Sequence, residues 1–184
     1  MDYEGLARIV EHAKQGDDEA FAQLFVEFSK PVYYNALHIT KNEHDAHDVV
    51  QDTMIALHRN LHSIKDVKSV VAYVNKIASR QSIRILRTRS PEHIYDDAGD
   101  ALQNVAEDNE NFIPEGYVAQ KERRDYIVGL VDELSDTQRT AVMLFYFEQL
   151  PIKQIAEITE VEEATVKMRL SRARAVLKVK MSQM

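Results

Sequence analysis

A chain of 184 residues, 45% of them apolar, can build one mid-sized domain or two small ones joined by a linker. Five glycines and four prolines are too few for the hairpins of a many-stranded sheet protein, so an all-α fold is expected. The lack of cysteine excludes disulfides and thiolate metal ligation, and no apolar run approaches the roughly 20 residues that a membrane-spanning helix needs.

The net charge of −7 would argue against a nucleic-acid partner only if it were evenly spread. Residues 1–89 carry 12 basic and 12 acidic side chains, residues 90–118 carry eight acidic and no basic ones, and residues 119–184 carry 11 basic and 10 acidic. Lys167, Arg169, Arg172, Arg174, Lys178 and Lys180 fall in residues 164–184, which hold no acid. A screening length of about 10 Å lets such a patch act apart from the overall sum.

The opening residues MDYEGLARIVEHAKQGDDEA are acidic and amphipathic, unlike a secretory signal, and a cytoplasmic protein is expected. Leu6, Ile9 and Val10 predict a short helix over residues 3–14. Phe21, Leu24, Phe25, Phe28, Val32 and Leu37 predict a second helix, with Asp17 and Asp18 able to cap its start and Pro31 expected to kink or interrupt its middle. A third has Ala46, Val49, Val50, Ile55, Leu57 and Leu61 as its apolar set. The fourth buries Val70, Val74, Ile77 and Ile85, and aligns Arg80, Arg84 and Arg87 on one face.

Residues 90–118 have no sustained period and should form an acidic, flexible linker extended by self-repulsion. Helical pattern returns from about Val118, with Ile127, Leu130, Val131 and Leu134. Ser135 and Gln138 have capping-box spacing, and Pro151 suits the opening of a short helix, IKQIAEIT. A tight break at Glu160–Val161 leads into a last helix whose core stripe is Val166, Leu170, Ala173 and Leu177. The resulting division is a helical bundle over 1–89, the linker over 90–118, and a second helical domain over 119–184.

A short helix, a tight turn and a longer helix with a basic outer face follow helix-turn-helix logic, with Ala156 small enough for close approach. Lysine and arginine there can reach phosphates or guanine, and Ser171 a base edge; a solvated basic face is the plainer account. Tyr73 beside the arginine row suits single-stranded DNA, and an ordinary solvated face explains it equally well. His44, Asp48 and Asp52 have i, i+4 spacings that could begin a metal site, but no distant partner completes it, so no metal or cofactor is expected. No phosphate loop or nucleophile elbow appears, and catalysis is not expected.

The ordered set GDDEAF, HDAHDVVQDTM, AYVNKIASRQSIRILRTR and ELSDTQRTAVMLFYFEQL-PIKQIAEIT-EVEEATVKMRLSRARAVLK resembles the extracytoplasmic-function branch of bacterial RNA polymerase sigma factors over residues 16–89 and 119–180. The resemblance implies a sigma-two domain and a sigma-four domain that bind core RNA polymerase and promoter DNA together, with an anti-sigma factor as regulator and no membrane insertion. It implies that Asp48, Gln51 and Asp52 meet the clamp coiled coil of the largest subunit, and that the second domain meets the flap of the second-largest. The loop Leu61–Ser69, with Ser63 and Lys65, would capture an unstacked −10 base. Tyr73, Lys76, Arg80, Arg84 and Arg87 would line the strand-separating surface. Lys167, Ser171 and Arg172 would read the −35 element, with Arg169 and Arg174 at phosphates or in structure.

The sequence departs from the family's common pattern at several positions. Tyr73 stands where tryptophan is common, and Arg80 and Arg84 replace Asn and Asp or Asn. Glu160 and Ala164 replace glycines near the turn, and Phe145 replaces a basic residue. A stand-alone helix-turn-helix regulator and an interaction adaptor are the rival readings.

Overall fold

The computed structural model describes the backbone of residues 3–89 and 121–182, with side chains from residue 126 in the second stretch. The expected linker, 90–118, and Val118 lie outside the described residues. Those that are described form helices and turns without a strand, as an all-α chain should. Contacts divide the chain into two compact units, Met1–Leu86 and Arg87–Met184.

In the first unit, α1 (Tyr3–Lys14) ends in a turn in which Gly16 takes φ +87°, the left-handed region that costs glycine least. Asp17 then starts α2 (Asp18–Thr40), its carboxylate accepting the amides of Glu19 and Ala20 at 2.9 and 3.0 Å. Pro31 does not interrupt α2. Its missing N–H releases the Glu27 carbonyl, but both residues face solvent, where water can take that carbonyl. Phe28 and Val32, both buried, hold the helix on either side of the gap.

Lys41 closes α2 in the left-handed region, donating its N–H to the Leu37 carbonyl, and the Asn42 side chain accepts the Asp45 amide at 3.0 Å to open α3 (Glu43–Asn60). This two-residue corner sends α3 back along α2. Phe21 meets His58 with ring centroids 4.8 Å apart, and Tyr33 meets His47 at 4.7 Å, early residues of one helix against late residues of the other. Leu24, Phe28, Val49, Leu57 and Leu61 fill the space between, each burial contributing about 1.5–3 kcal/mol. A short 3-10 turn (Leu61–Ser63) leads to α4 (Val67–Arg89).

Two expectations about this core need correction. Phe25 and Ile55 are 42% and 49% exposed: the inward stripe of α2 runs through Leu24, Phe28 and Val32, and that of α3 through Val50, Met54 and Leu57. In α4, Val70 and Val74 are buried as expected, but Ile77 and Ile85 are only half-buried. The inward stripe continues through the small residues Ala78, Ser79 and Ser82, an i, i+4 course from Val74. Ser82 satisfies its hydroxyl on the Ala78 carbonyl at 2.9 Å.

The second unit contains α5 (Lys121–Asp132), α6 (Asp136–Val142), a π-helical turn (Met143–Phe147), α7 (Ile152–Thr159) and α8 (Glu163–Ser182). Ser135 occupies the cap position of α6, but its side chain makes no capping bond and stands 3.4 Å from the Thr137 hydroxyl. Arg139 organises that end instead. It is 4% exposed, donates to the Leu134 carbonyl at 3.2 Å and pairs with Asp136. Leu144, Ile155, Val166, Leu170, Ala173 and Leu177 form the core, and the whole expected stripe of α8 is buried.

The turn between α7 and α8 has Glu160 at φ 52°, ψ 42°, with the Ala156 carbonyl accepting both the Glu160 and the Val161 amides. A side chain in this conformation costs about 1–2 kcal/mol relative to glycine. Glu160→Gly should therefore raise the stability of this unit by about 1 kcal/mol, read as a higher midpoint in urea denaturation; a lowered midpoint would refute this account of the turn.

Candidate functional site

Burial of Ala46, Val49, Val50, Thr53 and Leu57 determines which residues α3 presents to solvent. Asp48, Gln51 and Asp52 are all exposed on that outward face, with Ile55 one turn beyond Gln51. Beside them a hollow of about 440 Å³ opens between α2 and α3, lined by Phe21, Phe25, Gln51, Met54, Ile55, His58 and Arg59. An apolar hollow edged by Gln51, His58 and Arg59 suits a protein partner: the hollow can take an apolar anchor while polar groups meet at the rim.

The loop after α3 is held at both ends. The Ser63 hydroxyl donates to the Asn60 carbonyl at 2.7 Å, and the Asp66 carboxylate accepts the Ser69 amide at 2.8 Å, starting α4. That amide holds the Asp66 carboxyl below the usual carboxylate range. The Ser63 and Lys65 side chains stay exposed between these anchors.

Tyr73 is half-buried, with its hydroxyl 3.4 Å from the Ala56 carbonyl of α3. Lys76 is half-buried, Arg80 and Arg84 are exposed, and Arg87 stands in the last turn of α4. Arg84 lies 3.6 Å from Asp52, so α4 and α3 meet through side chains that the resemblance expects at DNA and at polymerase. With side chains 68% and 48% exposed, this pair contributes at most about 1 kcal/mol.

On α8, Lys167 is exposed, and Ser171 and Arg172 are half-buried one turn further along the same side. Arg169 is 4% exposed and packed within the unit, in keeping with the structural of its two expected roles. Arg174 is engaged as well, its Nε donating to the Tyr146 hydroxyl at 2.9 Å and its guanidinium 6.0 Å from that ring's centroid. Tyr146 belongs to the π-helical turn, where Phe145 packs edge-on against it at 4.9 Å. The outward basic surface is therefore narrower than the run of cations suggested.

Residues 24–92 match the family Sigma-70 region 2, and residues 124–177 match Sigma-70, region 4. The chain is 25% identical over 173 residues to the ECF RNA polymerase sigma factor SigW of Bacillus subtilis, covering 92% of each protein. It is 29% identical over 158 residues to SigM of the same organism, covering 85% of this chain and 91% of SigM. The chain belongs to the extracytoplasmic-function sigma factors. The fold also resembles the sigma factor RpoE of Bartonella quintana, solved with the anti-sigma factor NepR, at a TM-score of 0.51 and 22% identity over 88% of this chain and 96% of RpoE.

As a sigma factor the protein acts in transcription initiation, with core RNA polymerase and promoter DNA as its partners. Among the described residues, no group of histidines and carboxylates could hold a metal ion, and no helix is long and apolar enough to cross a membrane. Residue spacing by itself does not reveal the hollow beside Gln51, because it places Phe25 and Ile55 in the core. Their spacing was the available signal: Ile55 lies at i+4 from Gln51, on the polar side of α3.

The Asp66 cap gives a pH test. Because its pKa is depressed on folding, its stabilising contribution is present above the value of an unstructured aspartate, about 3.9, and is lost as pH falls through the lower folded value. The Ser69 amide resonance should titrate with a midpoint below that of a free aspartate and lose the transition in Asp66→Asn. A midpoint at the unstructured value would reject the cap.

Proposed function

We propose that this sigma factor grips polymerase and promoter through separate surfaces on two domains, residues 1–89 and 119–184, with the acidic segment 90–118 as their tether. Asp48, Gln51 and Asp52 meet the clamp coiled coil of the largest subunit, and the adjoining hollow receives an apolar side chain of the same partner. The loop Leu61–Ser69, through Ser63 and Lys65, takes an unstacked base of the −10 element. Tyr73, Lys76, Arg80, Arg84 and Arg87 attend the separating strands. Lys167, Ser171 and Arg172 read the −35 element in the major groove, while the second domain also rests on the flap of the second-largest subunit.

One observation carries this reading. A single chain presents an exposed acidic row beside an apolar hollow in its region 2 unit, and an exposed basic helix face in its region 4 unit. Two modest contacts on one tethered chain gain from effective concentration when polymerase holds both, so the free factor binds DNA weakly. The protein works in the cytoplasm as a non-enzymatic initiation factor. An anti-sigma factor restrains it, a reading supported by the fold's likeness to RpoE bound to NepR and to CnrH in complex with the cytosolic domain of CnrY, the latter at a TM-score of 0.55 and 19% identity over 96% of this chain and 97% of CnrH.

Transcription with purified core polymerase tests the assignments separately. Lys167→Ala and Arg172→Ala should each weaken output from −35-dependent promoters by about 1–3 kcal/mol while leaving association with core enzyme intact. Ile55→Asp, which places a charge in the hollow, should instead reduce co-purification with core by about tenfold and lower all promoters together. Tight, sequence-specific gel shifts by the isolated chain, without stimulation of core enzyme, would favour a stand-alone regulator.

A further inference from the structure

We infer that Lys14 is a positioning residue for the loop Leu61–Ser69, fixing that loop's backbone at Lys65 and so setting which base the loop accepts. The inference rests on the reading that this loop takes a −10 base. It starts from a hydrogen bond that joins distant parts of the chain: the Lys14 ammonium donates to the Lys65 carbonyl at 3.2 Å, across 51 residues of sequence. The helix that carries the donor is well anchored, although the bond itself is exposed. Leu6, Val10 and Ala13 bury the inward face of α1 in the core that also holds Leu61, and α1 packs against the 3-10 turn.

Lys14 is the last residue of α1, where the negative end of the helix dipole favours a cation, and its stem is half-buried. Less side-chain freedom is therefore lost on making the bond than for a lysine fully in water.

The acceptor matters equally. On the near side of the loop, Ser63 and Ile64 bond back to the carbonyls of Asn60 and Leu61, at 2.7 and 3.2 Å. On the far side, the Ser69 and Val70 amides bond to Asp66 at 2.8 and 3.0 Å. Lys65 lies between these two anchored ends, and Lys14 holds its carbonyl. A bond to the backbone, unlike one to a side chain, constrains the peptide plane that orients both Lys65 and Asp66. A pocket for a flipped base depends on such placement, since small displacements of a positioned contact are costly.

The test uses the full chain with core polymerase on templates that differ only at their −10 bases. Lys14→Met keeps much of the stem and removes the donor; Lys14→Arg keeps a donor. Lys14→Met should change the relative output among −10 variants by about threefold, with unchanged association with core and an unchanged dependence on salt, and Lys14→Arg should restore the original order. An unchanged order of templates in Lys14→Met would overturn the inference. So would a uniform loss on every template with a salt slope smaller by about one, which would make Lys14 a phosphate contact. Ser63→Ala and Lys65→Ala separate the two levels: if neither alters −10 preference, the reading of the loop fails and the inference with it. If they do alter it while Lys14→Met does not, only the inference fails.

Discussion

Val49, Val50 and Leu57 seat α3 against α2, and in doing so they decide that Asp48, Gln51 and Asp52 face away. Val166, Leu170, Ala173 and Leu177 do the same for α8, turning Lys167 outward. A helix of 3.6 residues per turn cannot bury one stripe without committing the opposite one. Each outward face therefore depends on a core of ordinary aliphatic residues, and a cavity in either core would disturb that face without touching its residues. Close-packed interiors transmit such changes because they have little slack.

The arginines divide along the same line. Arg139 and Arg169 are inside the second unit, and Arg174 is tied to Tyr146. A buried guanidinium is tolerated only with partners, and Arg139 has the Leu134 carbonyl and the Asp136 carboxylate. These side chains brace the helix-turn-helix frame, so the basic residues left on the outer surface are fewer than composition implies. In the first unit the arrangement is more open. Arg84 and Asp52 form an exposed pair, weakened by the surrounding solvent.

The corners of the fold are made with little glycine. Lys41, Gln149 and Glu160 all take left-handed backbone conformations that glycine would adopt at lower cost. At Lys41 and Glu160 the strain is offset by helix-closing bonds, to the Leu37 and Ala156 carbonyls. At Gln149 the following residue closes the π-helical turn, with the Leu150 amide reaching the Leu144 carbonyl at 3.0 Å. Tight reversals of this kind set the angles at which α3 and α8 leave their neighbours.

Much was legible in the sequence, because helical periodicity and segregated charge are local properties. The helices, the core stripe of α8, the outward Asp48, Gln51 and Asp52, and the outward Lys167 can be derived from residue spacing alone, and family resemblance supplies the roles expected of them. Tertiary structure decided what spacing leaves degenerate. Phe25 lies three residues from Phe28 and Ile55 one residue from Met54, all four apolar, and only the contact between α2 and α3 leaves Phe25 and Ile55 outside. The burial of Arg169, the meeting of Asp52 with Arg84 and the reach of Lys14 to Lys65 join residues far apart in the chain or on different faces. No local pattern encodes those contacts, because they arise only when packed helices bring the side chains together.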